Sequence, residues 1–201
     1  MFQDLREKLE SIDSVFNEER YELGNEADRR NGFDASKDYD QKKLSSIAER
    51  ARGMDAVKKL GIERKYLLLQ ITLEEGENKY VNFYLRGFDE ASGSHASLGE
   101  NFLNDELRNE LGDIFELPYI WPSVGYPREA VRDLVFEHDG LKLTVSGLGG
   151  GMYNLRDGKI NLHGSSLGFG SVPTQYQERF AELLQQLVQK PAFQGYQVNV
   201  N

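Results

Sequence analysis

The sequence predicts an α+β domain: a mixed sheet of about six strands packed by two helices, preceded by an N-terminal helical extension. Three observations lead there. Apolar residues recur at helical spacing within residues 1–60, two-residue alternation takes over from Glu63, and one more helical stripe falls between Tyr176 and Val188. A chain of 201 residues suits one domain with an extension, placed here at 61–201 and 1–60.

In the extension, Phe2, Leu5, Leu9, Ile12 and Phe16 form one amphipathic stripe. Gly24 to Ser36 reads as a polar connection, and Leu44, Ile47, Ala48, Ala51, Met54 and Val57 form a second stripe ending near Gly61. Such stripes must be buried, either by folding back on the sheet or by meeting a protein partner or a second copy. Lys65 to Leu73 is apolar and long enough for a central strand. A turn at Glu74–Asn78 leads to a hairpin partner through Tyr80–Leu85. Asp89 to Gly99 is a polar loop containing His95, and the helix after it carries Phe102, Leu103, Leu107 and Leu111.

Residues 113–130 hold three of the five prolines and the only tryptophan. Proline excludes a helix interior or a central strand, so an irregular aromatic segment is expected, either a lid or a cover over core. Val131–Phe136 pairs with Leu141–Val145 across His138-Asp139-Gly140. Gly147 to Gly151 then reads as a glycine loop ending that strand. Lys159–His163 is the next strand, Gly164 to Gly170 a second glycine loop, and Ser171–Thr174 the cap of the last helix. Tyr196, Val198 and Val200 alternate as a final strand.

Composition narrows function. The net charge is −9, with −10 falling in residues 74–139 and +2 in 141–201, so a nucleic acid would be repelled and none is expected as partner. With no cysteine there is no disulfide framework and no thiolate nucleophile. No run of 18 apolar residues exists and residues 1–7 lack a signal-like core, so no membrane partner is expected and the cytoplasm is the default location. The three histidines, His95, His138 and His163, show no paired metal-ligand spacing, and no metal or cofactor is expected. The two glycine loops could cradle an anion on backbone amides, or simply shape turns and bulges at sheet ends.

A set of short motifs occurs in order: the Lys65-Tyr66 strand, Arg86-Gly87, His95-Ala96 entering a helix, Leu148 to Gly151, the Lys159-Ile160 strand, Gly-x-Ser-x-Gly-Phe-Gly over Gly164–Gly170, a helix, and Tyr196 to Val198. Over residues 63–200 this order resembles the phosphohistidine phosphatase (janus/ocnus) family. The resemblance implies a metal-independent phosphatase acting on a phosphorylated protein or a small phosphoramidate. It implies His95 as catalytic base or nucleophile, with Lys65, Ser166, Gly168, Gly150 and Gly151 at the phosphate. Met152 stands where the family usually has arginine, and Ser94 and Ser97 replace its residues around His-Ala. The alternative is a non-catalytic phosphate- or protein-binding module on the same fold, using the N-terminal helices or the 117–127 aromatic segment to meet a partner.

Overall fold

The computed structural model describes residues 1–16, 64–89, 94–124, 129–156 and 158–200. In chain order these form α1 (Phe2–Ser11), β1 (Arg64–Glu75), β2 (Asn78–Asp89) and α2 (His95–Asn101). A π-helical stretch (Phe102–Leu107) then leads into α3 (Arg108–Leu111). After these come the short pair β3 (Ser123–Val124) and β4 (Glu129–Ala130), then β5 (Asp133–His138), β6 (Leu141–Arg156), β7 (Lys159–His163), α4 (Gln177–Leu187) and β8 (Gln197–Val200). Six strands make one mixed sheet in the order β2-β1-β6-β7-β8, with β5 paired to the first half of β6. The expected α+β class is the one that forms.

Helical layers lie on both faces, which is why β1 is buried on both. Leu67, Leu69, Ile71 and Leu73 enter a core with α1, α2 and α3; Tyr66 and Leu68 enter a second core with α4. Each fully buried leucine stabilises by roughly 1.5–3 kcal/mol. Leu5 and Leu9 of α1 belong to the first core, and Tyr84 Oη donates to the Leu9 carbonyl at 2.8 Å. The first stripe therefore folds back on the sheet. It does not run to Phe16 as one helix: the chain turns extended at Ile12 and crosses the edge of β2. There Leu85 N–H donates to Ser14 O and Phe16 N–H to Leu85 O, at 2.8 and 3.0 Å. Val15 and Phe16 then pack in the second core, a position on the far side of the sheet that no helix carrying Leu5 could reach. The second expected helix, Leu44 to Val57, and its connection lie outside the described residues. No helix among the described residues is long and apolar enough to cross a membrane.

The edge crossing is held by a buried cation. Arg86, 3% exposed, donates from Nε and Nη2 to the two oxygens of Glu106 at 2.8 and 2.5 Å. Nη1 donates to Leu85 O and Nη2 to Asp13 O, and the guanidinium stands 4.9 Å from the centre of the Phe102 ring. One side chain thus joins α1's exit, β2 and the π-helical stretch.

Two expectations need correction. Gly147–Gly151 is not a loop: it lies inside β6, which runs unbroken from Leu141 to Arg156. Glycine reads as punctuation in a sequence, but here it is demanded by close neighbours. Leu148 is an extra residue, since Leu69 pairs with Gly147 and Leu68 with Gly149. This bulge reverses which residues face which layer: Leu141, Leu143 and Val145 face α2, whereas beyond it Tyr153 faces α4 and Gly150 and Met152 face the α2 side. The last helix is also entered differently, through a 3-10 turn at Thr174–Tyr176 with no side-chain cap.

Candidate functional site

His95 is the first residue of α2, not a loop residue as the sequence suggested. Ser94 and Ser97 form a reciprocal cap, each hydroxyl accepting from the other's amide at 3.3 Å. The His95 ring is half-buried with Nε2 2.9 Å from the Gly151 carbonyl. A carbonyl only accepts, so the neutral ring carries its proton on Nε2 and keeps the Nδ1 lone pair. Burial pushes the imidazole pKa below its usual value and nearby Lys65 adds to this, while the bond to Gly151 opposes both. The ring is therefore neutral at pH 7.

The ring fits because Gly150 has no side chain. A Cβ there would stand 2.9 Å from His95 Cδ2 and 2.4 Å from the Tyr66 carbonyl oxygen. Gly150→Ala should cost about 1–3 kcal/mol, because one of the clashing partners is backbone. Urea unfolding measures that loss, and a displaced His95 ring would move its Cε1–H resonance.

Gly150 also anchors the second glycine loop. Its N–H donates to Gly170 O and its carbonyl accepts from Ser166 N, both at 2.9 Å. His95 and the 166–170 loop therefore share Gly150 as a floor. The Gly150 amide is thus used by the loop, and the Gly151 carbonyl by His95. Ser166 is 3% exposed, and its Oγ accepts from Phe169 N at 3.2 Å, so the side chain holds the turn closed. These bonds use the amides of Ser166, Phe169 and Gly170. The tip, Leu167-Gly168, stands outside this internal bonding, and Leu167 is fully exposed.

The aromatic segment is a cover, at least at Trp121. That ring is 2% exposed, packs edge-on to Phe169 with centroids 5.5 Å apart, and donates from Nε1 to Val131 O at 2.7 Å. It lies over Gly99 of α2, where a Cβ would come within 2.3 Å of it. Trp121 thus ties the glycine loop to the helix that carries His95. Tyr126 and Pro127 lie outside the described residues.

Strand register adds a residue that sequence alone could not connect. Lys65 pairs with Met152 and Met152 with His163, and directly paired residues share a face. Lys65, Met152 and His163 therefore stand in one row on the side where His95 lies. His138 pairs with Leu141, which pairs with Glu75, ten residues along β1 from Lys65. That is roughly 33 Å at strand rise. The three histidines do not converge, and no group of His, Cys, Asp or Glu among the described residues could hold a metal.

No family model and no curated protein matches this chain. Function rests on the geometry. A depression of about 640 Å³ lies away from His95, between Arg108, Leu117, Tyr119 and the outer side of β5. An anion held by amides and one lysine needs no cavity of that size. A chemical test is available at His95 itself. Its ring should titrate below the ordinary value of about 6.5, and Lys65→Met, which removes a repelling charge, should move the titration upward. NMR titration of the imidazole protons reads both, and an unchanged midpoint in the variant would remove Lys65 from the site.

Proposed function

We propose that the chain is a metal-independent phosphatase of the phosphohistidine type, splitting the P–N bond of phosphohistidine or a related phosphoramidate. The observation that carries this reading is His95 Nδ1, left unprotonated by the Nε2–Gly151 bond and held over the glycine that anchors the 166–170 loop. The exposed loop tip offers the Leu167 and Gly168 amides to phosphoryl oxygens, and Lys65 supplies positive charge from the same side. Nδ1 either takes a proton from the attacking water or attacks phosphorus itself; the P–N bond breaks, and the leaving nitrogen gains a proton from solvent. In the second route water then releases phosphate from His95.

The test is hydrolysis of phosphohistidine and of phosphoramidate by the whole protein in the presence of a chelator. Turnover with both substrates is expected; no release of phosphate from either would overturn the reading. A second reading, a partner-binding module, is favoured by one observation. Tyr119 and Ile120 are 71% and 72% exposed beside the depression near Arg108. A phosphate titration separates the two, since shifts centred on His95 and Gly168 belong to the enzyme alone.

A further inference from the structure

We infer that the outer edge of β5 takes up an extended, basic polypeptide segment as an added strand, with the depression beside that edge as its bed. The site lies away from His95, so the inference does not rest on chemistry there. Among the described residues, β5 pairs with β6 alone. The Arg132 carbonyl accepts from Gly147 N at 2.7 Å, and Asp133 pairs with Ser146 one step on. Bonded and non-bonded pairs alternate in an antiparallel ladder, so Leu134, Phe136 and His138 turn their main-chain groups to β6. Asp133, Val135 and Glu137 turn theirs outward, where no described residue bonds to them. Side chains alternate too. Leu134 is buried and Phe136 half-buried on the α2 side, while Asp133, Glu137 and Val135, the last 52% exposed, lie on the opposite face.

A strand added to this edge would set every second side chain beside Asp133, Val135 and Glu137, and send the ones between into the depression. There they meet Leu134 and Phe136 on one side and Leu117, Pro118 and Tyr119 on the other. Arg108 is the one cation among the described lining residues, and it is already held. Its Nη2 donates to Asn104 Oδ1 and Leu117 O, and the guanidinium lies 3.9 Å from the centre of the Tyr119 ring. Glu116 and Asp133 leave the lining acidic. The complement is therefore a segment with basic residues opposite Asp133 and Glu137 and apolar residues between them. Charge also decides against a second copy. In the register that pairs all three outward residues, Asp133 of each copy would stand opposite Glu137 of the other, and like charges directly opposite are destabilising. The two acids thus keep copies of the edge apart while selecting a basic strand.

The experiment titrates the whole chain with a blocked peptide whose core runs lysine-leucine-valine-leucine-lysine, and with the same core carrying glutamates for lysines. The basic peptide should bind with a Kd about tenfold or more below that of the acidic one. Asp133→Lys combined with Glu137→Lys should reverse that order. Hydrogen exchange gives the register: the Val135 and Glu137 amides should slow when the basic peptide is added, whereas those of Leu134 and Phe136, already bonded to β6, should not change. Val135→Pro removes an outward N–H and no bond to β6, so it should abolish binding in a folded protein. Equal Kd values for the two peptides, an order unmoved by the charge reversal, or a folded Val135→Pro that binds as before would overturn the inference. So would protection of Val135 and Glu137 that needs no peptide and grows with protein concentration, since a second copy would then be the occupant. A protein that binds the basic peptide and hydrolyses no phosphoramidate would sustain the docking edge and defeat the phosphatase reading, so the two fail separately.

Discussion

Replacing His95 by alanine should lower turnover on phosphohistidine by about 10²–10⁴-fold, the usual contribution of a positioned base. The loss should fall on kcat, because Lys65 and the loop tip still hold the phosphoryl group. Free imidazole in the buffer should restore part of the rate, since the variant leaves space over Gly150 for it. Trapping divides the two routes: an acid-labile phosphoryl group on the wild type, missing from His95→Ala, marks attack by Nδ1. The pH profile has a defined sign. Activity should rise as pH climbs through a His95 pKa held below the ordinary value, then stay level. Full activity in His95→Ala would remove this residue from the chemistry.

Arg86→Met should destabilise the fold by about 3–5 kcal/mol, the cost of breaking a buried pair by removing one member. Glu106 would lose both of its bonds to the guanidinium, the Asp13 carbonyl its Nη2 donor, and the Leu85 carbonyl one of its two donors. At this chain length the melting temperature should fall by roughly 6–20 °C. Pairing Arg86→Met with Glu106→Leu should recover much of the loss, because a well-packed apolar replacement of both partners is often neutral. Chemical denaturation of the two single variants and the double variant gives the coupling. A single-variant loss under about 1 kcal/mol would mean that the Glu106 carboxylate is satisfied without Arg86.

Much of the fold was legible because turn chemistry and periodicity agreed. Gly76 and Gly140 both take positive φ at the two hairpin turns that the sequence marks, and Asp139 joins Gly140 in doing so. The stripe of α4 was equally plain: Phe180, Leu183, Leu184 and Leu187 are all buried as spaced. Legibility failed where contact, not local preference, decides. Gly147–Gly151 looks like a loop until Phe169, His95 and the Ser171 backbone are seen pressing on the missing side chains. The start of α2 was missed because Ser97, not an acid, completes its cap. Arg86 carried a usable signal, a charge at the core-facing position two residues after Tyr84. His163 carried none, because its place beside Met152 depends on a pairing between strands.

The bulge at Leu148 gives β6 something like a reading frame. Every side chain after it is assigned to a layer by counting from that one supernumerary residue. Deleting it would leave Gly147 and Gly149 adjacent opposite Leu69 and Leu68, so Tyr153 would stay opposite Arg64 and Gly150 opposite Leu67, beneath the imidazole. Residues Leu141 to Val145 would notice nothing. A residue lost beyond the bulge, by contrast, would turn every later side chain of the strand to the opposite layer.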